Sequence, residues 1–164
     1  MLILPVLTIP FDPKAPFSNH ELRRSWGSVT VQEDQGYSAG LYLIWMEPVL
    51  VPSDYGDPEK RKRPKFIPMA EIKRRVDQSD ALTFAFANML FRNTEYLECL
   101  DPRRENLLIF PKTRVIDQYG NRDYAPFVCL NSVTRVWSLY FHHIQHLNTP
   151  LAHFVCGINL SCLT

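Results

Sequence analysis

The chain has 164 residues, 46% hydrophobic and 21% charged, with a net charge of +1. This suits one globular domain around one core, leaves little room for a second, and excludes a disordered chain. Thirteen prolines against six glycines fix many φ angles, which favours short elements joined by rigid connectors.

Residues 1–20 hold two short apolar pieces punctuated by Pro5, Pro10, Pro13 and Pro16. Residues 2–9 suit an edge strand, where proline is tolerated. The start carries no basic region ahead of its apolar residues, unlike a secretory leader. Residues 28–32 and 40–47 read as strands, and the polar stretch 33–36 between them predicts an antiparallel hairpin. In the second, Leu41, Leu43 and Trp45 face one way and Tyr42, Ile44 and Met46 the other. With both faces apolar, that strand is central or lies under a helix.

Residues 48–68 contain five prolines and a block of charge, which predicts a long exposed loop. A short basic helix follows over residues 69–76. Asp80 is placed to cap a second helix running towards Leu100. From Ala81 and Leu82 through Phe84, Phe86, Met89 and Leu90 to Phe91, its apolar residues project nearly all round the axis. Such a helix is buried on most sides or meets another protein, a second copy of this chain included. The run is far short of the ~20 residues a membrane span needs.

Residues 107–110 and 113–116 read as strands separated by Pro111. The pair Gly120-Asn121 marks a turn, and a strand resumes at 127–130. Asn131 or Ser132 then caps the clearest helical pattern in the chain, with Val133, Val136, Trp137, Tyr140, Ile144 and Leu147 at helical spacing. Residues 153–160 are apolar enough for a closing strand. Strands in hairpin-like groups predict an α+β fold: a mostly antiparallel sheet with two or three helices in a single layer on one face. The four cysteines, Cys99, Cys129, Cys156 and Cys162, are too sparse for a disulfide scaffold and read as buried reduced thiols. An intracellular location follows, cytoplasmic or, in a eukaryotic host, nuclear, with no membrane partner.

Charge is unevenly spread. Residues 25–58 carry five acids, Glu33, Asp34, Glu47, Asp54 and Asp57, and no Lys or Arg. Residues 59–75 carry eight bases, Lys60, Arg61, Lys62, Arg63, Lys65, Lys73, Arg74 and Arg75, against Glu59 and Glu71. Eight minus two gives +6, which leaves −5 for the rest of the +1 total. Such a patch points to phosphate or an acidic partner, and residues 60–65 resemble a short nuclear-import signal. The alternative is a solvated face balanced by the acids before it. Phe66 and Tyr55 stand near enough to stack bases, though two aromatics make a thin platform.

His142, His143 and His146, followed by His153 and Cys156, form the most visible cluster. On a helix, His142 and His146 share a face with Arg135, and a fixed cation does not help a metal site. The spacing fits no zinc signature, and histidines in the last turn of a helix also suit its dipole. No metal or cofactor is expected. There is no nucleophile elbow, phosphate loop or dinucleotide fingerprint. The pattern therefore points to a small non-enzymatic binding protein, a regulator, inhibitor or accessory subunit. It would dock its basic loop and helix onto nucleic acid or a nucleic-acid-handling protein. The alternatives are a metal- or Cys/His-dependent enzyme using the 142–146 histidines, and a subunit that self-associates through residues 81–91.

Overall fold

The computed structural model describes residues 6–11, 30–32, 38–55, 66–116, 119–121 and 123–163. Its centre is β8 (Ala152–Asn159), which pairs antiparallel with β3 (Gly40–Pro48) along one edge and parallel with β4 (Leu107–Ile109) along the other. Beyond β3 lies β1 (Leu7–Phe11), antiparallel to it. Beyond β4 lies β6 (Tyr124–Leu130), whose far edge carries β7 (Trp137–His143). The break at Pro111 separates β4 from β5 (Arg114–Ile116). Both pair with β6, and β5 also pairs with β2 (Thr30–Gln32). Among the described residues, eight strands thus form one sheet, antiparallel except at β4–β8. With helices α1 (Met69–Gln78), α2 (Phe84–Arg92) and α3 (Thr94–Leu100) packed on it, the fold is α+β.

Side chains alternate across a strand, and the core divides accordingly. Val155 of β8, Leu108 of β4, Val128 of β6 and Tyr42, Ile44 and Met46 of β3 pack beneath α2 and α3. Phe154 and Cys156 of β8, Ile109 of β4 and Ala125 of β6 face the other way. They are covered by Ile72 and Val76 of α1 and by Ile144 and Leu147 of η2, a 3-10 helix (Ile144–Leu147). The expected single layer of helices on one face is instead two covers. The reason lies in β8 and β3, which are apolar on both faces, so water must be excluded from both.

Three further expectations change. β2 and β3 form no hairpin: β2 pairs with β5, and β3 with β1 and β8. Asp80 starts no helix, because residues 80–82 run extended along β8. There Gly157 N donates to Asp80 O (3.0 Å), Leu82 N donates to Val155 O (2.8 Å) and Ala81 bridges Cys156. Helix α2 begins at Phe84, whose N–H is held by Thr113 Oγ1. The chain breaks at Asn93 before α3. Phe84, Phe86, Ala87 and Leu90 are all buried in the sheet's own core, so the apolar residues expected to mediate self-association are spent inside the fold.

The third change is the largest. Residues 131–147 form a turn, β7 and η2 rather than one helix. Asn131 Oδ1 accepts from Val133 N (2.9 Å) and Thr134 N (3.0 Å). A helix cap uses the same bonds, so the cue at Asn131 serves either outcome. Arg135 then takes φ 58°, and Arg135 N donates to Asn131 O at 2.8 Å, which turns the chain back. Trp137, Leu139 and Phe141 point to the α2 side, while Tyr140 stacks on Phe127 on the opposite face. Aromatic residues at every second position favour a strand, and pairing with β6 over the whole length of β7 decides it. The loop at 48–68 is also less exposed than expected: Val49, Leu50, Asp54 and Ile67 are buried, and η1 (Pro52–Tyr55) lies within it. All four cysteines are free thiols, but Cys99 and Cys162 are exposed rather than buried. Among the described residues, no helix is long and apolar enough to cross a membrane.

Strand and helix make different forecasts for the same stripe. Trp137 is 6% exposed and Val133 88%. Trp137→Ala should cost about 3–5 kcal/mol in urea unfolding, whereas Val133→Ser should stay within about 0.5 kcal/mol. Comparable losses at both positions would restore the helical reading.

Candidate functional site

Helix α1 is the described part of the basic segment, and its register sorts the three cations. Ile72 and Val76 point into the core. Arg75 lies beside them, with its side chain 15% exposed, and reaches back to the proline-rich loop. Its Nη1 and Nη2 grip the two oxygens of Asp54 at 2.7 and 2.9 Å, and Nη1 also donates to Val49 O at 2.9 Å. Its Nε donates to Glu71 Oε1 at 3.0 Å. Asp54 is buried and accepts from Val51 N at 2.7 Å. A bidentate guanidinium–carboxylate pair is among the strongest polar contacts available. Here it clamps the loop to α1.

Lys73 and Arg74 turn outward, each side chain 53% exposed. Lys73 Nζ pairs with Asp123 Oδ1 at 2.9 Å. Arg74 donates to both oxygens of Glu71, at 2.6 and 2.7 Å, and to Gln78 Oε1 at 2.5 Å. Glu71 therefore bridges Arg74 and Arg75. The structure thus separates the three cations: Arg75 serves the fold, and Lys73 and Arg74 stand on the surface. Lys60, Arg61, Lys62, Arg63 and Lys65 lie outside the described residues.

The frame around Lys73 comes from η2. Asp123 uses its carbonyl to hold Ile144 N (2.8 Å) at the start of η2, and its carboxylate to hold Lys73. At the other end Asn148 Oδ1 accepts from Ile67 N at 2.9 Å, which anchors the entry to α1. Phe66, next in the chain, is 68% exposed. Tyr119 is 80% exposed, and Gly120 beside it at φ 84° takes a left-handed conformation that suits glycine. Tyr55, the other aromatic noted beside the patch, instead packs against the core.

The histidine cluster does not assemble as a helix face. His142 sits in β7 and His146 in η2, and their side chains lie outside the described residues. His143 Nδ1 accepts from Gln145 N at 3.2 Å, and its ring meets Tyr124 edge-on. His153 Nδ1 donates to Leu151 O at 3.0 Å. Three places on in the same strand, Cys156 faces the opposite side. Burial pushes the Cys156 thiol well above its ordinary value, which disfavours the thiolate a nucleophile or metal ligand needs. Buried Asp101 accepts from Asn106 N (3.0 Å) and Nδ2 (2.8 Å), and Lys112 Nζ donates to Ser79 O. Among the described residues, no group of three or more His, Cys, Asp or Glu is placed to hold a metal ion.

An open cleft of about 210 Å³ lies between the end of β3 and the last turn of α1, walled by Pro48, Val49, Val51 and Phe154. Its polar groups, Glu47, Arg75, Gln78 and Ser79, already bond one another's neighbours. Glu47 accepts from Trp45 Nε1 at 2.9 Å and Ser79 Oγ donates to Val76 O at 2.8 Å.

Comparison of the chain with protein families, with curated proteins and with solved structures returned no match.

Sequence spacing could have found part of this arrangement. Glu71 stands three and four residues before Arg74 and Arg75, the spacing that pairs charges on a helix. Nothing local announces Asp54 or Asp123 as partners, since both reach α1 through the folded chain.

Two outcomes follow from the clamp. Arg75→Met should cost about 3–5 kcal/mol in urea unfolding, because Asp54 would be left buried without its cation. Arg74→Ala should shift the unfolding curve by no more than about 1 kcal/mol, as an exposed pair does. The pair also sets an acid limit. The hydrogen bond from Arg75 holds the Asp54 carboxyl below its usual range, and those from Arg74 and Arg75 draw Glu71 down to about 2. Depressed native values mean that the stabilisation is complete above about pH 4, the unfolded carboxylate range, and is lost as pH falls through them. In urea melts taken at decreasing pH, the gap between the protein and Arg75→Met should be widest near neutrality and narrow below about pH 4.

Proposed function

We propose that this chain is a small non-enzymatic binding protein that docks a basic surface, α1 with the residues 60–65 before it, onto nucleic acid. The observation that carries the reading is the division of labour on α1. Its apolar residues and Arg75 secure the helix, so Lys73 and Arg74 can meet a ligand without loss to the fold. Lys60, Arg61, Lys62, Arg63 and Lys65 precede the same helix and carry most of the +6 excess. Exposed ammonium and guanidinium groups replace condensed counterions on a phosphate backbone, which makes such binding steeply dependent on salt. Ion pairs with Asp123 and Glu71 do not block this. Exposed pairs contribute little, and phosphates can replace their carboxylates.

The test is affinity for DNA and RNA fragments measured against salt concentration. The unaltered protein should show a steep negative slope of log K on log salt. Replacing Lys60, Arg61, Lys62 and Arg63 together by Ala should flatten that slope by about 0.9 per lost phosphate contact on duplex DNA, with unfolding unchanged. Equal affinity and slope in the two proteins would refute the assignment.

A further inference from the structure

In an antiparallel pair, successive residues of a strand turn their backbone groups to one neighbour and then to the other. Two bonds at the ends of the β6–β7 hairpin fix that alternation. Asn131 N donates to Val136 O at 2.9 Å, and Ile144 N donates to Asp123 O at 2.8 Å. In the register of this pair, Ser138, Tyr140 and His142 therefore turn their backbone groups to β6. The N–H and C=O of Trp137, Leu139 and Phe141 turn to the outer edge. Pro126, opposite Phe141, agrees, since its C=O points away from β7 to accept from Phe110 N at 2.9 Å. Among the described residues, no strand pairs with that outer edge. Exposed edges are ordinarily guarded by charge, by proline or by shortness. β1 contains Pro10 and β2 has three residues, whereas residues 137–143 hold no Lys, Arg, Asp, Glu or Pro. Val136, just ahead of β7, is 59% exposed.

We propose that β7 pairs antiparallel with β7 of a second copy of this chain, joining two sheets into one about a two-fold axis at Tyr140. The strand is complementary to itself. This axis sets Leu139 of one copy opposite Phe141 of the other, and the reverse, so outward N–H groups meet outward C=O groups. It also runs through the middle of residues 137–143 and so uses the whole strand. Tyr140 stacks on Phe127 and is still only half-buried. Across the axis it faces its own copy in a non-hydrogen-bonded pair, the closer kind, where aromatic pairs are favourable. With no charge on either edge, no like charges stand opposed. The contact is isologous and consumes the edge in both copies, so assembly closes at two. An axis normal to the sheet keeps like faces together, which puts both α1 helices on one face. Dimerisation here is independent of nucleic-acid binding.

The test is the mass of the full chain by sedimentation equilibrium over a wide range of concentration, with amide exchange followed residue by residue. The unaltered protein should run at twice the chain mass when concentrated and dissociate on dilution. The Trp137, Leu139 and Phe141 amides should exchange more slowly in the dimer than in the diluted monomer. Tyr140→Lys and Tyr140→Glu should each run at the single-chain mass, because like charges then meet at the axis. An equal mixture of the two should recover the doubled mass. Circular dichroism checks that each variant folds; if either does not, the exchange rates of the unaltered protein decide. A single-chain mass at every concentration overturns the proposal. So does a mixture of the two variants that stays monomeric. A dimer that survives both substitutions, or whose three amides exchange as fast as the monomer's, also overturns it, since its contact lies elsewhere.

Discussion

The fold depends on one strand that has no side facing water. β8 is hydrogen-bonded along both edges, to β3 on one and to β4 and residues 80–82 on the other. Phe154, Val155 and Cys156 at its middle are buried on alternate faces. Gly157 sits where a side chain would be tightly crowded. A Cβ there would lie 3.0 Å from Ile44 Cγ2 and 3.1 Å from both Leu43 O and Leu82 Cδ1. A strand buried in this way requires a cover on each face. The α2–α3 pair supplies one, and α1 with η2 supplies the other. The basic helix is therefore where it is because the sheet needs it there.

That origin accounts for the mixed character of α1. A helix that covers a sheet ordinarily shows solvent a polar and charged face, and a helix used purely for binding would have no reason to spend a guanidinium inward. Here Ile72 and Val76 cover the sheet, and Arg75 fastens the loop behind it through Asp54 and Val49. Lys73 and Arg74 remain outside. Among the described residues, the acidic stretch up to residue 58 and the basic stretch after it meet at Asp54 with Arg75. The charge asymmetry of the sequence is thus partly internal to the fold and partly left on the surface.

What could be read from the sequence was what local periodicity determines. The alternation in β3, the short basic helix, the break at Pro111 and the turn at Gly120 all follow from neighbours within a few residues. What could not be read depended on distant partners. Asn131 makes the same hydrogen bonds whether a helix or a turn follows, and β6 resolves the ambiguity by pairing with residues 137–143. Asp80 likewise looks like a cap until β8 takes its carbonyl. The candidate surface divides in the same way. Its cations were visible as composition, and Phe66 as a neighbour of the charge. Lys73 meets Asp123 through the folded chain, a contact that no spacing rule anticipates.

The place of β8 along the chain has a consequence for biosynthesis. The central strand is translated after β3 and β4, the strands it joins, and β3 is the earlier of the two by far. Until residues 152–159 leave the ribosome, β3 has β1 on one edge and nothing on the other, and each cover has half a sheet to sit on. Pairings this distant in sequence form slowly, because the chain loses loop entropy before the contact is made. The nascent protein therefore displays an apolar open-edged intermediate for most of its synthesis, the kind of species that aggregates or recruits a chaperone. A chain ending between β7 and β8 would leave β3 and β4 without the strand that joins them.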